Sequence, residues 1–559
     1  MIKNKFNIIC CSYNNEEWAE THLESILEQT YDNYEVIYVN DASTDKTMDI
    51  VNKKVGKDKR FHIINNKVNL DSPTNYFKYS YEFMKNKDDN EILVELCGDD
   101  WFATPTVLEQ LNEVYNKKDC WLTYGGMRVW NGGDDITLPN PQNSDYHSFI
   151  HENSLYRQDK WRAGHLHSFR WFLHKQFNWE KDAISRFDNE IFKHAVDLQL
   201  QFSVMEMCPP EKITNLDFPT VVFNNAPKRE RPLKDGTYRD SQENVKYEVE
   251  VRNKKRYKRV NSKDELKGEK LPQINVIGYF QETNYIPKDF SFVYNLEEGD
   301  FDMTIITDMD LLPYLKNEKK FPKGKIVADL HESPLYNKIQ KEVYDLVYQN
   351  YNKFELILTY DAKLLTLPNS QRRLCLWRCL NKNIHTKEWP LLADDSLCKI
   401  YPKSKNISCI SSNKAFLPGH KKRLDFVNHI IDSKGLDMFG IGFNPIPGKI
   451  DGLKDYRFSV AIENTYEENN CTEKISDCFL TGTIPVYYGC PNIGDIFDIN
   501  GIITFTSKEE LDTIVKDIIL NGEKIYQDKL SAVKNNFKLA NKYSMNSDQI
   551  FNNHLKKLI

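Results

Sequence analysis

Short apolar runs alternate with amphipathic segments along the first hundred residues. The apolar runs cover 6–11, 34–39, 61–65 and 92–96, and their residues are rich in Ile, Val, Tyr and Phe. Between them, apolar side chains recur at helical spacing over about 16–29, 46–54 and 74–85. A strict alternation of strands and helices is typical of a parallel sheet covered by helices. The pattern therefore predicts an α/β domain at the start of the chain.

The same alternation resumes in the second half of the chain. Apolar runs cover 274–280, 303–307, 325–330 and 356–359, and a second series covers 407–411, 436–440, 458–462 and 484–488. Between the halves, mixed charges replace large aliphatic residues, which is typical of a solvated connector. We therefore predict a first domain over 1–227, a charged linker over 228–271, and two lobes over 272–404 and 405–559. Two amphipathic helices are predicted after Ser507.

Composition excludes several classes of function. The 559 residues are 40% hydrophobic and 28% charged, as in an ordinary soluble protein, and the formal net charge is −6. This balance gives no general attraction to nucleic acid, and the basic cluster at 254–259 stands among acidic residues. No apolar run approaches the roughly 20 residues of a membrane span, and the N-terminus has no signal-peptide pattern. We therefore expect a cytoplasmic protein with no nucleic-acid partner.

Polar residues follow the predicted strands of the first domain at their carboxyl ends. Tyr13 follows the first strand, Asp41 follows the second, and Asp99 and Asp100 follow the strand at 92–96. Taken singly, each motif is an ordinary turn or helix cap. Taken together, in this order and spacing, they resemble the nucleotide-binding half of family-2 glycosyltransferases, which have the GT-A fold.

This resemblance implies a role for each of these residues. Tyr13 and Asp41 would hold the base and ribose of a donor, expected to be a UDP-sugar. Asp100 would bind Mn²⁺ or Mg²⁺ directly, and Asp99 would reach the ribose or a water on the metal. Asp197 would be the general base that deprotonates the acceptor hydroxyl. His165 or His167 could be a third metal ligand, although lone histidines more often satisfy local hydrogen bonds.

The segment 457–494 predicts a strand, a polar loop, a helix that begins near Thr472, and a second strand. Ligands of such βαβ units bind at the carboxyl ends of the strands. Glu463, Asn464, Glu473 and Lys474 are placed there. Backbone N–H groups at a helix start attract phosphate, Lys474 adds a positive charge, and Glu473 can accept from ribose hydroxyls. This combination suits a nucleoside diphosphate.

The same segment resembles family-10 α-1,3/4-fucosyltransferases in its Glu-Asn, its Thr-Glu-Lys and its Gly-Thr-x-Pro-Val-Tyr-x-Gly-x-Pro-Asn motifs. The resemblance implies a GT-B fold of two Rossmann-like lobes that binds GDP-fucose, transfers with inversion and uses no metal. Arg423 would contact the phosphates, although Lys421 and Lys422 are alternatives. Glu332, in a His-Glu-Ser-Pro segment, would be a second base or an acceptor contact. A C-terminal tail of such a fold commonly returns to the first lobe.

The sequence therefore predicts a two-headed glycosyltransferase, GT-A and then GT-B, that acts on a glycan or glycoconjugate acceptor. One alternative is a single active head with a degenerate partner that binds glycan or serves as a scaffold. A second alternative is a nucleotide-sugar-binding module without turnover.

Overall fold

The computed structural model describes residues 2–132, 138–139, 144–187, 189–193, 195–226, 241–278, 289–374, 376, 380, 395–544 and 550–559. The chain divides into two compact units, Met1–Leu271 and Pro272–Ile559. Among the described residues, no helix combines the length and apolar character that a membrane crossing requires.

The first unit is built on one mixed sheet. Its strands lie in the order β3-β2-β1-β4-β8-β6-β9-β5, with β7 paired to β6. Their bounds are β1 Phe6–Ser12, β2 Tyr34–Asn40, β3 Phe61–Asn65, β4 Ile92–Glu95, β5 Trp101–Phe102, β6 Leu122–Trp130, β7 Leu138–Pro139, β8 His167–Arg170 and β9 Ile213–Asn224. The predicted parallel pairing holds for β3, β2, β1 and β4. Beyond β4 the sheet is mixed, because β8 runs antiparallel to both of its neighbours whereas β6 and β9 are parallel.

Helices cover this sheet and bury its apolar residues. They are α1 Ala19–Leu27, α2 Thr47–Val55, α3 Ser72–Met84, α4 Val107–Lys118, α5 Ser148–Asn153, α6 Trp171–His174, α7 Trp179–Asp182, α8 Val196–Met207 and α9 Ser241–Arg252. One large core joins residues of β1, β2 and β4 to residues of α1, α2 and α4. The alternation of apolar and amphipathic segments in the sequence is therefore the alternation of buried strands and covering helices.

The described part of the predicted linker belongs to the first unit. Tyr247, Val251 and Tyr257 are buried, and the carbonyl of Val251 accepts a hydrogen bond from Arg157. The same Arg157 side chain forms a buried ion pair with Glu206 of α8, at 2.6 Å between Nε and Oε1. The described part of the segment thus differs from the solvated connector predicted over 228–271, because a few buried apolar residues anchor this highly charged stretch to the first unit.

The second unit contains two parallel sheets. The first has the order β11-β10-β12-β13-β14-β15 and the second has the order β17-β16-β18-β19-β20. The bounds are β10 Gln273–Ile277, β11 Ser291–Tyr294, β12 Met303–Thr307, β13 Lys325–Leu330, β14 Leu356–Thr359, β15 Ser370–Arg372, β16 Lys405–Ile410, β17 Leu436–Phe439, β18 Tyr456–Ile462, β19 Ile484–Tyr488 and β20 Ile503–Thr504. Two parallel sheets of this kind confirm the predicted α/β class with two Rossmann-like lobes.

The helices of the second unit are α10 Leu312–Leu315, α11 Lys338–Gln349, α12 Pro418–Ile430, α13 Glu473–Leu480, α14 Lys508–Asp528 and α15 Leu530–Tyr543. After α15 the chain returns to the first sheet of the unit. The ring of Phe551 stacks on Phe290 at 4.5 Å between centroids, and Ile550 and Leu555 join the same core as Ile274. The predicted return of the tail to the first lobe is confirmed.

Candidate active sites

In the first unit, three loops at the carboxyl ends of β1, β2 and β4 are tied together. Asn14 Oδ1 accepts from the backbone N–H of Thr44 at 2.7 Å, and Asn15 Nδ2 donates to the carbonyl of Gly98. A Cβ at Gly98 would lie 2.7 Å from the carbonyl oxygen of Cys11, so only glycine lets the chain after β4 approach β1 this closely. Tyr13, which is 43% exposed, therefore lies at the same sheet edge as Asp99.

Asp41 is buried at this edge, and its carboxylate holds the loop that leads into α3. Oδ1 accepts from the backbone N–H of Leu70 at 2.8 Å and from Asn66 Nδ2 at 2.9 Å, and Oδ2 accepts from the N–H of Asp71 at 3.0 Å. The ribose contact stays a prediction. The geometry adds a second task for Asp41, since its carboxylate positions the loop beside the predicted donor site.

Asp99 and Asp100 offer carboxylate oxygens, the ligand type that Mg²⁺ and Mn²⁺ prefer. Asp99 is partly exposed at the sheet edge, whereas Asp100 is buried and its Oδ1 accepts from the backbone N–H of Asn224 at 2.9 Å. The donor set fits a hard divalent cation, and Asp99 is the more accessible of the pair. Their metal-binding role stays a prediction.

Asp197 lies in the first turn of α8, where the helix dipole favours a negative charge. It lines a cavity of about 270 Å³ together with Glu95, Cys97 and His165. Burial raises the pKa of the Glu95 carboxyl and lowers the pKa values of His165 and His167. The predicted base therefore lines a cavity whose wall contains the His165 imidazole and the Glu95 carboxyl group, and the buried ring of His167 stacks on that of His165.

The second unit contains a cavity of about 330 Å³ at the carboxyl ends of β16 and β18. Three of the residues predicted to contact the donor line this cavity, namely Arg423, Glu473 and Lys474. Glu463, at the end of β18, is buried and accepts from the backbone N–H of Thr472 at 2.8 Å and from Lys474 Nζ at 3.1 Å. Glu463 therefore anchors the start of α13 and holds the Lys474 ammonium beside the N-terminus of this helix.

Of the three basic neighbours on α12, Arg423 faces this cavity, and neither Lys421 nor Lys422 is among its lining residues. Arg423 donates to Asn464 Oδ1 at 2.7 Å, and Asn464 Nδ2 donates to the hydroxyl of Tyr336 at 3.1 Å. Tyr336 is hydrogen-bonded in turn to the carboxyl of Glu332. A continuous chain of polar side chains thus leads from the donor cavity to the predicted base. Sequence reasoning missed Tyr336, and its one signal was an aromatic residue in a loop at a strand's carboxyl end.

Glu332 follows β13 and is held in place through its backbone. Asp308 Oδ1 accepts from the N–H groups of His331 and Glu332 at 3.1 and 3.0 Å, and Tyr344 donates to the carbonyl of Glu332 at 2.9 Å. Burial raises the pKa of the Glu332 carboxyl, and the nearby charge of Lys474 opposes this rise. A carboxyl with a raised pKa is suited to take a proton near neutral pH.

Replacing Glu473 with glutamine is expected to reduce the acid sensitivity of the second unit. Burial opposes ionisation of Glu473, but the charges of Lys474 and Lys449 prevail and lower its pKa to about 2. A lowered pKa stabilises the folded state above the ordinary pKa, and this contribution is lost as the pH falls from about 4.5 to 2. At neutral pH it amounts to about 3 kcal/mol.

Urea unfolding of the full chain at pH 7, 5, 4 and 3, followed through the transition of the second unit, measures this effect. The exposed Glu468 supplies the matched control as Glu468→Gln. Equal pH profiles for the two variants would show that Glu473 has an ordinary pKa.

Comparison with known proteins agrees with this geometry in the first unit. Residues 7–180 match the family model Glycosyl transferase family 2. The N-terminal unit therefore contains a family 2 glycosyltransferase domain. An uncharacterized glycosyltransferase from Haemophilus influenzae is 44% identical over 64 residues, which are 11% of this chain and 20% of the relative.

A fucosyltransferase is also among the relatives. The alpha-(1,3)-fucosyltransferase FucT from Helicobacter pylori is 36% identical over 58 residues, which are 10% of this chain and 12% of that protein. The chain thus spans between about an eighth and a fifth of the length of these two curated relatives. A crystal structure of alpha1,3-fucosyltransferase with GDP has 17% identity and a TM-score of 0.32, covering 49% of this chain and 89% of that one. Both family resemblances predicted from sequence are confirmed.

Proposed function

We propose that this chain is a two-headed glycosyltransferase that extends a glycan or glycoconjugate. The first unit transfers a sugar from a UDP donor with a divalent cation, and the second unit transfers fucose or a related deoxyhexose from a GDP donor. The observation that carries this proposal is that each unit has its own cavity, lined by side chains whose chemistry suits sugar transfer from a nucleotide donor. Asp197 lines the cavity in the first unit, and Arg423 and Lys474 line the cavity in the second.

In the second unit, the leaving group is a nucleoside diphosphate whose negative charge grows as the sugar departs. Lys474, Arg423 and the N-terminus of α13 neutralise that charge without a metal. The Glu332 carboxylate takes the proton of the acceptor hydroxyl, and the hydroxyl oxygen attacks the anomeric carbon opposite the diphosphate. Attack from that side inverts the anomeric configuration. The hydrogen bonds through Tyr336 and Asn464 fix the position of the Glu332 carboxylate relative to Arg423, which contacts the phosphates.

In the first unit, Asp197 has the corresponding task of accepting the proton of the attacking hydroxyl. Tyr13 is exposed at the sheet edge, where its ring can pack on a base, and Asp41 orders the loop beside it. A divalent cation bound by Asp99 and Asp100 would supply charge for the departing diphosphate. The match of residues 7–180 to the glycosyl transferase family 2 model supports the roles proposed for Tyr13, Asp41 and the Asp99–Asp100 pair, whereas Asp197 lies beyond the matched residues.

Nucleotide release by the full-length protein with a panel of UDP-, GDP- and dTDP-sugars, with and without EDTA, tests both heads at once. We expect GDP-fucose turnover that survives EDTA, beside turnover of a second donor that EDTA abolishes. The absence of nucleotide release with every GDP-sugar would refute the fucosyl assignment. Turnover of one donor class alone would favour a single active head with a degenerate partner.

A further inference from the structure

A compact group of three side chains in the first unit has no part in the proposed donor contacts. Glu95, His165 and His167 each place one ligand-type atom within 4.8 Å of the other two. Glu95 on β4 pairs directly with His167 on the antiparallel strand β8, and the ring of His165 stacks on that of His167 at 4.3 Å. Two strands and the turn before β8 therefore bring the group together from positions about seventy residues apart.

The hydrogen bonds of His167 define its protonation. Nε2 lies 2.7 Å from the carbonyl oxygen of Ala163, and because a carbonyl can only accept, the proton is on Nε2. The lone pair of His167 is then on Nδ1, which lies 3.4 Å from Glu95 Oε2. Metal-binding imidazoles are held in the same way, with the second nitrogen donating to a carbonyl or carboxylate. His167 Nδ1 and Glu95 Oε2 are thus two electron-pair donors that face each other at 3.4 Å. One cation can bind both atoms at this separation.

We propose that Glu95, His165 and His167 bind a divalent transition-metal ion, such as Zn²⁺ or Mn²⁺. Two imidazole nitrogens and one carboxylate oxygen form a donor set that zinc and its neighbours accept readily, with further positions left for exogenous ligands. Mg²⁺ and Ca²⁺ prefer all-oxygen sites and are poor occupants. This chemistry separates the group from the all-carboxylate pair Asp99 and Asp100.

Two of the three proposed ligands border a cavity in the first unit. Glu95 and His165 line the same cavity of about 270 Å³ as Asp197, so a hydroxyl or carboxylate of a bound carbohydrate can complete the coordination. That use of the open position rests on the proposed function of the first unit. The metal site itself does not, because it follows from the three side chains alone.

Titration of the metal-free full-length protein with Co²⁺ tests the site, since four- or five-coordinate Co²⁺ with imidazole ligands absorbs visibly. We expect an absorption band that saturates at one equivalent of Co²⁺, is displaced by Zn²⁺ and persists in excess Mg²⁺. Glu95→Gln and His165→Gln are expected to abolish the band. His165 is only partly buried, so its replacement keeps the test valid if Glu95→Gln fails to fold.

His62→Gln is the matched control, because His62 Nε2 lies 3.3 Å from Glu35 Oε2 in a more exposed pair, and no second histidine joins this pair in the described part of the chain. The band should be unchanged in this variant. Asp99→Asn distinguishes the proposed metal site from the cation proposed at Asp99 and Asp100. This variant should lose metal-dependent donor turnover and keep the Co²⁺ absorption band. A band that survives both Glu95→Gln and His165→Gln, or no band in the wild-type protein, would overturn the metal site whatever the donor assays show.

Discussion

Replacement of Lys474 with glutamine is expected to lower kcat/KM for GDP-fucose by about 10²- to 10³-fold. Lys474 Nζ lies at the start of α13, 3.1 Å from Glu463 Oε2 and 3.0 Å from the hydroxyl of Thr472, and it lines the donor cavity. Removing a preorganised positive charge from a departing diphosphate costs an effect of this size. Steady-state kinetics with GDP-fucose and an acceptor measure it.

Two controls separate the loss of charge from a loss of fold. Lys421→Gln removes an exposed lysine of α12 that is not among the cavity's lining residues, and its effect should not exceed about twofold. The metal-dependent activity of the first unit, measured in the same preparation, should be unchanged in both variants. A Lys474→Gln protein that keeps most of its GDP-fucose activity would exclude Lys474 from phosphate neutralisation.

Asp197→Asn is expected to lower sugar transfer by the first unit by about 10²- to 10⁴-fold, the usual contribution of a general base. Asparagine keeps the size and polarity of the side chain at the start of α8, so the helix and cavity should persist. Because the base acts on the acceptor, donor binding should remain. Transfer assays and calorimetric titration with UDP together measure the two effects.

Asp217→Asn, at an exposed position of β9, serves as the matched control and should behave as the wild type. A variant at Asp197 that loses both transfer and UDP binding would indicate a structural role. A variant that transfers at nearly the wild-type rate would place the base elsewhere in the cavity.

Much of the architecture could be predicted because local patterns control it. The strands at 303–307, 325–330, 356–359 and 484–488 were predicted with the bounds that the structure shows. Each is a short apolar run between polar turns, and its length and β-branched residues favour a buried strand of a parallel sheet. Glycine and proline at the turns set the boundaries. The two lobes of the second unit follow from this alternation.

Less of the two candidate sites could be predicted from the sequence, because each site depends on contacts between segments that are distant along the chain. Nothing local indicates that Asp41 receives the backbone N–H groups of Leu70 and Asp71, or that Tyr336 bridges Asn464 and Glu332. The pairing of Glu95 with His167 depends on an antiparallel register that the βαβ pattern does not predict. Residue types could be selected from strand ends, but their hydrogen-bond partners required the fold.

The segment after 241 shows how composition can mislead. Its many charged residues predicted a solvated connector, yet Tyr247, Val251 and Tyr257 are buried in the first unit. Lys and Arg side chains cover apolar surface with their stems while their charges stay in water. Average polarity therefore underestimates burial, and a few apolar anchors decide where such a segment lies.

The return of Phe551 and Leu555 to the core beside Ile274 affects how the protein is made. Strand β10 leaves the ribosome more than two hundred residues before these side chains exist, so its sheet has an unfilled apolar gap while the intervening residues are synthesised. Exposed apolar surface of this kind is a site of chaperone binding and aggregation. Synthesis of the segment that contains Phe551 and Leu555 thus completes a lobe that began to form long before.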